Sequence, residues 1–162
     1  LNNLARLLSE KGDTAGADTA YTESIEVRRS VQGDAHVNTA ITRMNLSNHY
    51  MDTQRPAAAC APVAEFGPVL AGALRETHWR LASLRSLEGA CLVHDGQYEQ
   101  AERRLVDSLA ALRTARGDAS REAQRAVERL ISLYTAWGRP GDKNKYELLR
   151  DQMRSTQRGT TS

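Results

Sequence analysis

A register of 42 residues constrains this chain more than any other feature. Gly12, Gln54, Gly96 and Gly138 stand 42 positions apart, and three of the four are glycine. Four residues before each of them stands a large apolar side chain: Leu8, Tyr50, Leu92 and Tyr134. Ala17, Ala59 and Ala101 share another register, in which Lys143 is the exception, and Tyr21, Val63 and Leu105 share a third. Gly33 and Gly117 are two periods apart, and His36 and His78 are one. A repeat of this length is one supersecondary unit that buries its apolar face only against its neighbours.

The nature of the unit is clearest from Leu87 to Gly117. Leu105, Leu109 and Leu112 follow Ala101 at steps of four and three, which places them on one helical face. Gly96 and Gly117 lie where helices should stop, because glycine enters the left-handed conformation without a Cβ penalty. Each unit therefore reads as helix A, turn, helix B and linker. Unit one (1–35) has helix A over Leu1–Lys11 and helix B over Thr14–Val31. Unit two (36–76) has them over Val37–Thr53 and Pro56–Leu74. In unit three (77–118), helix A begins near Thr77 and helix B ends near Arg116. Unit four (119–154) has Ser120–Trp137 and Gly141–Arg154. Asp34, Thr77 and Asp118 are placed to cap the next helix A. The small Ala17, Ala59 and Ala101 let the two helices of a hairpin approach closely. The fold class expected is all-α, a right-handed α-solenoid of about four antiparallel hairpins.

Unit two is the irregular copy. Pro62, Gly67, Pro68 and Gly72 all fall in its helix B. An internal proline removes a hydrogen bond and clashes one turn back, at roughly 3 kcal/mol. A kink or break is expected near Phe66–Pro68. The polar segment 155–162 is expected to be disordered.

Composition excludes several classes. The charged fraction is 26% with a net charge of only +2, which is not the basic footprint of a nucleic-acid binder. Two cysteines are too few for a disulfide framework. No apolar run approaches the roughly 20 residues that span a bilayer, so no direct membrane contact is expected. Leu1 already falls inside a helical pattern, so the chain reads as part of a longer polypeptide.

The period and pattern resemble the tetratricopeptide family in its 42-residue, kinesin-light-chain-like form. The carriers are LNNLARLLSEKGD at 1–13, Ala17, Tyr21 and Ile25, RRSVQGDAH at 28–36, and LVHDGQYEQAERRL at 92–105. Gln54 in place of glycine and the broken helix of unit two depart from the pattern. The segment RAVERLISLYTAWGRPGDKNKYELLR at 125–150 looks like the close of repeat regions at the C-termini of bacterial Ser/Thr protein kinases. There, a kinase domain and a membrane span precede the repeats. The resemblance implies a soluble bacterial domain. It would be cytoplasmic, or periplasmic or extracytoplasmic if it follows such a span. No Gly-rich loop, catalytic loop or activation segment is present, so no enzyme activity is expected of these residues.

The resemblance implies a non-catalytic scaffold that binds a peptide or protein on the concave face lined by helices A. Away from the Leu1, Leu4 and Leu8 stripe, helix A of unit one carries Asn3 and Arg6, and the same register in unit two carries Asn45 and Asn48. Asparagine offers both donors and acceptors to an extended peptide backbone. In related repeats the asparagines of the LNNLA-like segment do this, so Asn3, Arg6, Asn45 and Asn48 are the binding candidates. The matching positions in units three and four are Leu87, Ala90, Arg129 and Ser132, so the polar groove fades toward the C-terminus. The rival reading is a spacer, sensor or dimerising region of such a kinase, with a possible homodimer.

Other chemistry is weaker. Cys91 and His94 have a metal-ligand spacing, with Cys60 or His49 as further donors. The preferred reading is a buried free cysteine and a helix-end histidine, so no metal or cofactor is expected. The register also permits a Cys60–Cys91 disulfide, which two free buried thiols are expected to outweigh. His36 and His78 share a linker position and are read as structural. The spacing supports no Ser–His–Asp set. Trp79, Trp137 and Tyr134 are read as core. Helix B of unit four either caps the array or exposes Leu149 and Met153.

Overall fold

The structure, a computed structural model, describes residues 1–159. The chain divides into two compact units, Leu1–Glu76 and Thr77–Ser162. Every regular element among the described residues is a helix. The first unit contains α1 (Asn2–Glu10), α2 (Thr14–Gln32), α3 (Val37–Asp52), α4 (Pro56–Cys60) and α5 (Val63–Ala73). The second contains α6 (Trp79–His94), α7 (Tyr98–Arg116), α8 (Arg121–Trp137) and α9 (Pro140–Gly159).

The 42-residue register is written in the backbone as one repeated stop. The N–H groups of Gly12, Gln54, Gly96 and Gly138 donate to the carbonyls of Ser9, Met51, Val93 and Thr135. The next residues, Asp13, Arg55, Gln97 and Arg139, donate to Leu8, Tyr50, Leu92 and Tyr134. This pair of bonds needs a left-handed residue, so φ is +79° at Gly12, +74° at Gly96 and +71° at Gly138. Gln54 takes the same conformation with φ +60°, although it has a side chain.

The helix starts also keep the register, on residues other than those expected. His36 Nδ1 accepts from the Asn38 N–H and His78 Nδ1 from the Arg80 N–H, each at 3.1 Å. Ser120 Oγ accepts from the Ala123 N–H at 3.2 Å. These caps stand 42 apart, whereas Asp34, Thr77 and Asp118 lie too far upstream to reach the orphan N–H groups. Asp34 and Asp118 instead pair with Arg29 and Arg113, the last-turn arginines of α2 and α7.

The break in the fourth helical segment falls at Ala61–Pro62, where α4 ends and α5 begins, and not at Phe66–Pro68. Pro68 stays inside α5 for two local reasons. Gly67 has no Cβ for the pyrrolidine ring to strike. Ala64, whose carbonyl loses its partner, is exposed, as is Pro68, so water can take that bond.

Each unit has its own core. In the second, Ala101, Leu105, Leu109 and Leu112 of α7 are buried together with Ala126, Val127 and Leu130 of α8. Ala101 fills its expected small position, and α6 and α7 also approach closely at Gly89 of α6, where a Cβ would sit 2.7 Å from Leu105 Cγ. In the first, Ala5, Ala17, Ala20 and Tyr21 form the centre, with Leu8 and Leu46 packed on it. The expected Leu1/Leu4/Leu8 stripe is therefore only partly core: Leu1 is 55% and Leu4 48% exposed. α2 packs on α1, and the centre of that packing lies at Ala5 and Leu8. The register mates of Leu1 and Leu4 on α8, Val127 and Leu130, are fully buried in one cluster with α7.

The last helix is longer than the sequence suggests. α9 continues through 155–159, so these five residues of the expected disordered tail are helical, while 160–162 lie outside the described residues. Elongating a helix already anchored by buried Tyr146 and Met153 is far easier than nucleating one. Met153 is thus buried, and Leu148 is the exposed leucine of this helix.

Candidate functional site

The expected binding residues come from two A helices, α1 and α3. Asn3 and Arg6 are exposed on α1, and Arg6 Nη1 reaches Glu10 Oε1 at 3.3 Å, one turn on. Asn45 of α3 is half-buried, and its amide points across to Asn2 Oδ1 of α1 at 3.4 Å. Asn2, Asn3, Arg6 and Asn45 are thus available on the two helices. Asn48 is only 3% exposed, so it has almost no surface to offer a ligand. Arg129, at the register of Asn3 in the last hairpin, is also buried, and its Nη1 donates to Ser86 Oγ at 3.0 Å.

A second polar group in the same unit was not legible from spacing. Ser9 of α1, Asp18 of α2 and His49 of α3 meet. Ser9 Oγ lies 2.8 Å from His49 Nδ1, and Asp18 Oδ1 lies 3.0 Å from His49 Nε2. Spacing supports no Ser–His–Asp set, and these three residues are related by packing alone. These residues converge only because three helices pack side by side. The Nε2–Asp18 contact is short but too bent for a good hydrogen bond, which leaves Nε2 without a well-formed one. Arg55, just past the α3 stop, grips the same carboxylate with two bonds of 2.6 and 2.9 Å. Its hydrogen bonds are the main reason that the Asp18 carboxyl is held below its ordinary pKa; burial opposes them and the charge of His49 adds a little.

Geometry decides what this set can do. A general base must come within hydrogen-bond reach of the proton it removes. His49 is 1% exposed, with the Tyr21 ring 5.7 Å away, so no substrate atom reaches the imidazole in this arrangement. Asp18 is committed to Arg55, whose guanidinium also lies 4.4 Å from the Tyr50 ring centre. The set is a strut that ties α1, α2 and α3 together at one end of the hairpin.

The remaining candidates resolve as follows. Neither cysteine is a free thiol: Cys60 and Cys91 are both disulfide-bonded, contrary to the preferred reading. A disulfide sulfur is not a thiolate ligand, so the Cys91–His94 pair loses its soft metal donor. Tyr134 is core, its hydroxyl donating to Glu102 Oε1 at 2.7 Å, and burial with that bond raises its pKa. Trp137 is half-buried and stacked parallel to Tyr134, with ring centres 6.4 Å apart. Trp79 is half-buried among arginines, not core. In the first unit an open depression of about 360 Å³ is lined by Arg29, Asp34, Arg43 and Glu65, but these charges already pair with one another.

Residues 1–38, which hold the first hairpin and its linker, match the family model described as tetratricopeptide repeat. Over residues 1–38 the chain is thus similar to a tetratricopeptide repeat. Over its length it is similar in structure to BtubC (BKLC) from P. vanneervenii, with a TM-score of 0.64 and 16% sequence identity. The likeness covers 96% of this chain and 62% of that one, so the chain spans under two thirds of the length of its structural neighbour. At that identity the likeness speaks for the fold alone, an all-α helical repeat. No curated protein matches the chain significantly. Tetratricopeptide repeats generally mediate protein–protein interaction. No described helix is long and apolar enough to cross a membrane.

Proposed function

We propose that this chain is a protein-interaction module that takes an extended peptide across its A helices, with Asn3, Arg6 and Asn45 as the polar contacts. The observation that carries this is the Asn45–Asn2 contact between α1 and α3. It makes one polar ridge from two consecutive repeats, and amides there can both donate to and accept from a peptide backbone. Asn48 drops out of the contact set because it is buried. Arg6 adds a charge that is only loosely held by Glu10 at 61% and 41% side-chain exposure, so an acidic partner group can compete for it. The test is selection of peptides from a random display library on the full chain. Selected peptides should lose about ten-fold or more in affinity for an Asn3→Ala/Asn45→Ala variant, as loss of two or three modest hydrogen bonds gives. Equal binding by wild type and variant, or no selection above background, defeats the reading.

A second reading, self-association, is favoured by one observation. Leu1, Leu4, Leu7, Val27 and Val31 are all exposed on the first hairpin. Of these, Leu1, Val27 and Val31 line one open depression, and contiguous apolar surface is uncommon on a monomer. Light scattering of the full chain separates the two: a concentration-dependent dimer abolished by Leu4→Asp supports it, and a strict monomer rejects it. The kinase-associated bacterial context belongs to the same proposal and rests on the 125–150 segment alone.

A further inference from the structure

Helix α6 opens with an arrangement that ordinary helix electrostatics disfavours. The first turn is the positive end of the helix dipole and normally attracts acids. α6 has none there and carries Arg80 instead. One period away on either side, the same position is Glu122 on α8 and Asn38 on α3. The Arg80 guanidinium carbon lies 4.4 Å from the centre of the Trp79 ring. A second guanidinium, that of Arg116 at the end of α7, lies 4.7 Å from the same ring. Two cations therefore share one indole.

Their neutralisation is incomplete. Glu122 stands 3.6 Å from Arg116 Nε, a long ion pair. Arg80 makes no ion pair with any carboxylate among the described residues. It is half-buried, and burial together with the charge of Arg116 lowers its pKa against the opposing pull of Glu122. Two guanidinium charges thus face one carboxylate. A guanidinium laid over an aromatic ring keeps an N–H edge free, and its fork matches the oxygens of a carboxylate or a phosphate.

We propose that Trp79, Arg80 and Arg116 form a seat for a single oxyanion, a carboxylate or phosphate group carried by a bound peptide. The peptide part rests on the protein-binding reading above; the anion part does not. The seat lies in the second unit, away from the Asn2–Asn45 ridge in sequence. Arg80 is the residue that an arriving anion relieves most, because it has no carboxylate of its own.

The test uses the full chain with Trp137→Phe, which leaves Trp79 as the lone indole of the two in the sequence. Inorganic phosphate and an N-acetylated, C-amidated tetraglutamate peptide are titrated separately, with chloride holding ionic strength constant. A saturable change in Trp79 emission is expected in at least one arm, and the arm that saturates at lower concentration names the anion. Arg80→Gln should weaken it about ten-fold or more, as loss of a charge-assisted hydrogen bond does, while Arg80→Lys keeps part of it. The same ligand should raise the thermal midpoint of the unmodified chain and fail to do so with Arg116→Gln. A non-saturating response in both arms, or one unchanged by Arg80→Gln and Arg116→Gln in variants with intact helical circular dichroism, overturns the proposal. Saturable phosphate binding without any selected peptide would keep the seat and reject the protein-binding reading; the reverse would keep that reading and reject the seat.

Discussion

Replacing Gln54 by glycine should stabilise the chain, and the size of the gain follows from the repeat itself. Gln54 holds φ +60° to complete the same two stop bonds that Gly12, Gly96 and Gly138 complete. A left-handed conformation costs a non-glycine residue about 1–2 kcal/mol. Glycine returns about 0.4–1 kcal/mol of that through the greater freedom of its unfolded chain. The exposed Gln54 side chain makes no hydrogen bond among the described residues that would be lost. The net gain is therefore about 0.5–1 kcal/mol, or about 1–4 °C in thermal midpoint for a chain of this length. Calorimetry or a urea series on wild type and Gln54→Gly measures it. The reverse change is a clean control at Gly96, where a Cβ would have nothing within 4 Å, so only φ is at stake. Gly96→Gln should lose about the same amount. If Gln54→Gly lowers the midpoint, or Gly96→Gln leaves it unmoved, the claim that these positions are one backbone motif is wrong.

Other outcomes follow from the same structure. Gly89→Ala should destabilise by about 1–2 kcal/mol, overpacking against Leu105 outweighing better helix propensity, and the loss should vanish in a Leu105→Ala background. His36→Ala and His78→Ala should each cost about 0.5–2 kcal/mol as lost N-caps, with His36→Asp restoring what His36→Ala removes in a urea midpoint. Asp18 has a lowered folded pKa, so its contribution is fully present above its ordinary value of 3.8 and is lost as pH falls through the folded value. Asp18→Asn should therefore lower the urea midpoint near neutrality, and the gap to wild type should close as the pH falls below about that value. Unfolded without reductant, the chain should show no thiol to Ellman's reagent, and after reduction both Cys60 and Cys91 should titrate.

What the sequence made legible was whatever repeats. The stops at Gly12, Gln54, Gly96 and Gly138 can be read from spacing because each is a local demand on one backbone angle, set within a single turn. The face of α7 could be read for the same reason: Ala101, Leu105, Leu109 and Leu112 are placed by helical period alone, and all are buried. The caps were misplaced by two residues at His36 and Ser120 and by one at His78. Aspartate and threonine are the stronger capping types, and type was weighed over the 42-residue register that His36 and His78 already displayed. The break at Pro62 was misplaced because Pro68 looks worse in isolation; Gly67 before it and the solvent around Ala64 remove both penalties.

The candidate site was less legible because its residues depend on which faces meet. Asn45 and Asn48 are three apart on one helix, yet one reaches Asn2 and the other is buried, a difference of about 60° around the helix axis. Ser9, Asp18 and His49 share no spacing at all. Each sits at an ordinary polar position of its own helix, and they become neighbours only when α1, α2 and α3 pack. Arg55 is the one member with a sequence signal, since it follows the stop at the position where the first repeat has Asp13. There Asp13 accepts the Gly16 N–H and caps α2, whereas Arg55 leaves the short α4 without a side-chain cap and sends its guanidinium back to Asp18 of the preceding hairpin. The capping interaction that α4 lacks is thus exchanged for a charge-assisted tie between hairpins. The most irregular repeat of the chain is thereby bound to its most regular neighbour in that unit.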